Sequence, residues 1–509
     1  MNIPNENKIN MASREEWCAD KLSKLLKEEL RISTLNEIKD HLESLPTNEV
    51  KPTVNLLELP LVFDCLNNTN TEQIDLACNI LSFCLDNLSI EECSTKYGTP
   101  LERALSHPYP AVKLMVLKEL ERDIKNEDIL IDLCKRFSLL ESLVRCLGCE
   151  VLEVASRSSK ILKLIGCSDI GIKKLTSSDL INVFHEVISM NDIVRLRVFE
   201  VFVEIAKESK TNFQCLNSSG LISCFLNDLD SNDILLRMNV IEILSQLGKT
   251  EYGFEYLESH DVISKLGSIL KSDDSIDLQL CQPGILKFFG NIGNCQPNRI
   301  IEQYSYVLKK MFENINSSDF SLVGVSLDTI GYIGSTTNGK CALDSMGIVE
   351  NGMSLISSKL GTFPTEITVR ALKCIENLLS TDENNLRVQF ISQKWFSALG
   401  PNAMTNIILK YAKNPFFELR IAGLSVINSI SNQIWGQEVI QDTPGLIEFL
   451  LDRNVETHKE SKDLKYEIVK VLSESSVLDS STVKRLKNYV KEGAFYVQGV
   501  MEVAFEENN

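Results

Sequence analysis

Along most of the chain, apolar residues recur at helical spacing, and the helices they predict repeat at a regular interval. The stretch from Arg195, RLRVFEVFVEIA, places Leu196, Phe199, Phe202 and Val203 on one face, as an amphipathic helix requires. A matching stretch, RMNVIEILSQL, begins 42 residues later at Arg237. Further copies start at Val323 (VGVSLDTIGYIG), Arg370 (RALKCIENLLS), Arg420 (RIAGLSVINSIS) and Lys465 (KYEIVKVLSES). Upstream lie KLMVLKEL from Lys113 and RSSKILKLIG from Arg157, and CQPGILKFFGNIG from Cys281 fills the remaining gap. In that last copy Pro283 removes a backbone donor beside Gly284, so a bend is expected there.

A second pattern shares the period. A glycine is followed, about eight residues on, by Gly or Asp and an aliphatic residue: Gly171 to Asp179, Gly253 to Asp261, Gly339 to Gly347, Gly436 to Gly445. Each reads as a short helix, a sharp turn and a second helix. Polar turns with N-cap candidates precede the long helices at Asn191, Asn232-Asp233, Ser318-Asp319 and Asn414. Units of two or three helices repeating every 40 to 47 residues or so are the mark of armadillo and HEAT arrays. No such unit can bury its apolar face alone, so the units must stack. The expected fold is all-α: an armadillo/HEAT-type α-solenoid superhelix of about nine to ten repeats over residues 16–501, with a disordered tail at 1–15 and a short acidic tail at 502–509.

Composition narrows the function. Fifty-two Lys and Arg face seventy Asp and Glu, a net charge of −18, which disfavours a phosphate backbone as partner. No apolar run is long enough for a membrane span, and the N-terminal residues lack the apolar core of a secretory signal. A cytoplasmic protein is expected, with nuclear residence left open. Its fifteen cysteines are then reduced thiols, mostly acting as small buried hydrophobes.

Catalytic signals fail on inspection. Gly334 to Lys340 has P-loop spacing, but Cys341 stands where a Mg²⁺-binding hydroxyl belongs and a helix, not a strand, precedes it. Cys146 and Cys149 form a lone C-x-x-C without a second pair or a nearby histidine. The five histidines are scattered. The expectation is a non-enzyme without cofactor, metal or small-molecule substrate.

What remains is surface. Polar residues on the long helices recur opposite the core stripe. The sets are Arg197, Glu200 and Glu204; Asn239, Glu242 and Gln246; Gly284, Lys287 and Asn291; Lys373, Glu376 and Ser380; Ser425, Asn428 and Asn432; and Glu467, Lys470 and Glu474. In armadillo-type stacking these stripes lie side by side as a partner-binding groove. Their mixed charge suits a folded protein partner better than RNA.

Several stretches resemble the 26S proteasome non-ATPase regulatory subunit 5 family. They are NDIVRLRVFEVFVEIA at 191–206, PGILKFFGNIG at 283–293, GVSLDTIGYIGSTTNGK at 324–340, PGLIEFLLDR at 444–453, SKDLKYEIVKVL at 461–472 and EGAFYV at 492–497, with the Gly220-Leu221 turn. The resemblance spans about residues 100 to 500 and rests on scaffold motifs. It implies a chaperone for assembly of the proteasome regulatory particle, holding the C-terminal domain of a base ATPase beside the base scaffold subunit and leaving before the mature particle forms. A generic armadillo-type scaffold with unrelated partners is the alternative reading of the same periodicity.

Overall fold

The computed structural model describes residues 5–271, 276–381 and 385–496, and every regular element among them is a helix. None of the described helices is long and apolar enough to cross a membrane. The chain forms two compact units, residues 1–231 and 232–509.

In the first unit the long helices Thr71–Asp86, Pro110–Asp123, Leu152–Gly166 and Asp192–Glu208 pack each against the next. Six do so in the second: Ile234–Leu247, Ile276–Cys295, Phe320–Ile333, Thr365–Leu379, Phe417–Ser431 and Lys459–Ser473. Each unit is thus an α-solenoid, and the copies found by periodicity are its stacked long helices. Their apolar stripes are the core: Phe199, Phe202 and Val203 are buried, whereas Leu196 is only half-buried. The Phe184 and Phe202 rings meet edge to face at 4.8 Å, and burying each such ring contributes about 1.5–3 kcal/mol.

Capping follows the sequence at three of the four expected turns; Asn414 instead accepts from the N–H of Phe416, which is itself the N-cap of Phe417–Ser431. Asn191 accepts from the Val194 N–H, and Asp233 and Asp319 cap their helices in the same way. The recurrent glycines of the short helices have a specific cause. Thr336 accepts the Gly339 N–H at 3.0 Å, which folds the chain so tightly that a Cβ at Gly339 would lie 1.8 Å from the Ile333 carbonyl oxygen. Thr250 and Gly253 repeat the arrangement, with the Leu247 carbonyl 2.1 Å from the missing Cβ. The second turn of the pattern takes left-handed backbone at Asp261, Gly347 and Gly445. Asp179 departs from it: Ser177 is the N-cap there, and Asp179 sits in the first helical turn.

A helix spans Asn5–Leu25 and overlaps the expected tail at 1–15, while residues 1–4 and the expected tail at 502–509 lie outside the described residues. Pro283, where a bend is expected, lies inside the helix Ile276–Cys295. Pro283 and Gly284 are both half-buried there.

Neighbouring repeats are joined by polar side chains that reach the ends of adjacent long helices. Gln433 Nε2 donates to the Leu379 carbonyl at 2.7 Å. Lys340 Nζ donates to the Asn377 carbonyl at 2.8 Å and to that of Gly334. Carbonyls at a helix C-terminus have no partner within their own helix, so these contacts satisfy groups that stacking would otherwise bury unpaired.

Candidate protein-docking face

The polar stripes divide between the two units. Arg197, Glu200 and Glu204 belong to the first, on Asp192–Glu208, and two of the three are engaged internally. Arg197 donates through Nη1 to the Leu147 carbonyl. Glu204 pairs with Lys163 of the neighbouring long helix and with Lys207, each at 2.7 Å. Burial works against the Glu204 carboxylate, but the two ammonium groups outweigh it and hold its pKa below the usual range. The same lacing joins Lys118 to Asp86 at 2.6 Å and Arg157 to Glu121 at 2.9 Å. Much of the polar face of this unit therefore bonds one repeat to the next.

In the second unit, adjacent helices do bring the expected residues together. Glu242, Lys287 and Asn291 line a shallow concavity of about 350 Å³ with Gly290, Asp328, Thr329 and Tyr332. Periodicity assembled the first three but passed over Phe320–Ile333, which supplies Asp328, Thr329 and Tyr332. The signal was present, since Asp328 and Tyr332 are four apart on the face opposite the buried Leu327 and Ile330. Glycine at 290 lets the helices approach: a Cβ there would come within 2.6 Å of the Thr329 methyl. Asn291 is oriented by donating to Ser245 Oγ at 2.9 Å, and Asp328 accepts a bidentate pair from Arg370. Lys287 stands exposed at the concavity, with no ion pair among the described residues.

Elsewhere in the second unit the stripes are more self-contained. Asn239 donates to the Leu235 carbonyl and Gln246 to Glu242. Lys373 pairs with Glu376 at 2.7 Å, and Asn432 bonds the Asn428 carbonyl. Glu467 and Lys470 are exposed near the C-terminal end of the array.

The P-loop-like segment has a structural explanation. Its glycine spacing comes from the Thr336–Gly339 turn, and Lys340, only 1 % exposed, is already bonded to two carbonyls. Cys146 is buried, and burial pushes its thiol up to about 11, away from the thiolate that metal binding or redox chemistry needs.

The likeness to known proteins covers nearly the whole chain. A family model described as proteasome non-ATPase 26S subunit matches residues 14–509. The 26S proteasome non-ATPase regulatory subunit 5 proteins of Bos taurus and Homo sapiens are each 32 % identical, over 94 % of this chain and 96 % of theirs. That of Drosophila melanogaster is 26 % identical over 97 % of this chain and 99 % of its own. Among solved structures, Kap121p aligns with 92 % of this chain and 47 % of its own at a TM-score of 0.52 and 12 % identity, a likeness of fold alone. With a family model matched from residue 14 to the last residue, and relatives of this identity aligned almost end to end, the chain belongs to the proteasome non-ATPase 26S subunit family.

Proposed function

We propose that the protein is a non-catalytic chaperone for assembly of the proteasome regulatory-particle base. It holds the C-terminal domain of a base ATPase against its long-helix faces, beside the base scaffold subunit, and leaves before the mature particle forms. The observation that carries this reading is the concavity of Glu242, Lys287, Asn291, Asp328 and Tyr332, in a chain whose relatives are named as proteasome regulatory subunits. The concavity offers a cation, two carboxylates, an amide and a phenol on rigid helices, which suits a folded surface of mixed charge. Its action is steric: a bound chaperone occupies the face by which the ATPase domain would dock elsewhere. The proposed residence is cytoplasmic.

A tagged pull-down from native lysate at low salt, read by mass spectrometry, tests the reading. Base ATPases and their scaffold subunit should be enriched and core-particle subunits depleted. Lys287→Glu with Lys373→Glu should reduce that recovery severalfold while leaving the melting temperature nearly unchanged. Equal recovery of core particle would indicate a resident subunit, and stable recovery of unrelated proteins alone would indicate a general scaffold. Unchanged ATPase recovery by the double variant would remove the docking role from this face.

A further inference from the structure

A second surface of the 232–509 unit, on its short helices, has the features of a docking site. The helix Leu386–Ser397 begins just after its N-cap Asn385. Leu386, Phe390, Gln393 and Ser397 fall on one face of it at 100° per residue, and all four are exposed. Leu386 is 79 % exposed and Phe390 67 %, unusual values for large apolar side chains lying one turn apart on a single stripe.

The stripe leads into a pocket. Gln393 and Ser397 line a cavity of about 460 Å³ between this helix and Ile434–Asp442, a volume in the range that takes a ligand or an anchoring side chain. The Phe396 and Trp435 rings, 5.2 Å apart, lie at its base, and Trp435 is held by an Nε1–H bond to Gln433 Oε1 at 2.9 Å. Its lip is built from uncommon backbone. Gly400 and Asn402 both have positive φ, and a π-helical turn follows at Met404–Ile408, an arrangement often found at functional sites. Asp442 is also in the lining, and Glu438, outside it, is exposed one turn before Asp442. Neither carboxylate has an ion pair among the described residues.

We propose that this stripe and pocket dock an amphipathic helix of a partner protein, its apolar anchors meeting Leu386, Phe390 and the Phe396–Trp435 pocket, and a Lys or Arg near one end meeting Asp442 and Glu438. Two arguments select this occupant. Leu386 and Phe390 offer no side-chain donor or acceptor to an extended backbone, whereas a helix satisfies its own backbone and can lay an apolar face on them. Asp442 in the pocket lining and exposed Glu438 one turn before it complement a cation on the occupant. From Leu386 to Ser397 the stripe is about 16 Å long, enough for three helical turns. The site is separate from the long-helix concavity, so it adds a contact to the proposed function and does not depend on it.

The test uses the full chain labelled with 5-fluorotryptophan and read by ¹⁹F NMR, with the Trp435 signal assigned by its loss in Trp435→Phe. The probes are an 18-residue amidated Leu/Lys/Ala amphipathic helix, its Leu/Glu/Ala counterpart and a scrambled Leu/Lys/Ala peptide. The Lys helix should shift the Trp435 signal and leave that of fully buried Trp395 in place. Leu386→Ser or Phe390→Ser should weaken the Lys helix about tenfold, and Glu438→Gln with Asp442→Asn should abolish its advantage over the Glu helix. An unmoved Trp435 signal, equal binding of the scrambled peptide, or affinity unaffected by Phe390→Ser would overturn the proposal. So would concentration-dependent self-association lost in Phe390→Ser, which would assign the face to a second copy of the chain.

Discussion

Replacing Lys340 by methionine separates two meanings of the same motif. The ammonium donates to the carbonyls of Gly334 and Asn377, so it joins the C-terminal ends of Phe320–Ile333 and Thr365–Leu379. Hydrogen bonds to a charged donor contribute about 1.5–3 kcal/mol each, so two amount to roughly 3–6 kcal/mol. Methionine retains the buried stem and relieves the cost of burying a charge, which offsets part of that loss. It also leaves two carbonyls without this donor. The expected net loss is about 2–4 kcal/mol, confined to the second unit. Stacked repeats need not unfold in one step, so urea unfolding should be combined with hydrogen exchange read by mass spectrometry. Faster exchange is expected in the last turns of those two helices, with the first unit unaffected. Labelled ATP in equilibrium dialysis should be retained by neither protein. A variant as stable as the parent to within about 0.5 kcal/mol would refute the structural assignment. ATP retained by the parent and lost in the variant would restore the P-loop.

Other outcomes follow from the same structure. Gly339→Ala forces a methyl against the Ile333 carbonyl and should cost about 3 kcal/mol, visible as a lower melting temperature, whereas Gly361→Ala meets open space and should be nearly neutral. Burial raises Glu119 to about 7 and Asp123 to about 6 despite the Glu119–Arg122 pair at 2.7 Å. The folded state then holds protons that the unfolded chain releases near pH 4, so their contribution is present in acid and is lost as the pH rises through 6 to 7. Thermal melts should show the first unit losing at most about 5 kcal/mol between pH 4.5 and 8, and Glu119→Gln should remove about half of that slope. Lys465 has the opposite sign: burial, opposed by Glu456, lowers it to about 8, so its contribution should grow as the pH rises from 8 towards 10.5 and disappear in Lys465→Met. Burial raises the Cys84 thiol to about 12, so native alkylation should label exposed Cys167 and Cys295 well before it, a difference peptide mass spectrometry would resolve and denaturant would erase.

The amino-acid pattern by itself determined the helices, their period, the N-caps at Asn191, Asp233 and Asp319 and most of the core. Each is a local property: 3.6-residue periodicity reports which side of a helix is apolar, and a capping side chain acts within three residues of itself. The family was legible too, because its motifs recur in order and in register. Tertiary structure decided what the polar positions do. Whether Glu204 is free or paired depends on Lys163, 41 residues away, and Lys340 is a clamp because the Asn377 carbonyl arrives beside it. Asp328 and Tyr332 joined Lys287 only when neighbouring long helices were brought to contact distance, with glycine at 290 allowing the approach. Helical spacing places a residue on a face of its own helix; the offset between successive repeats, set by side-chain packing, decides what that face meets.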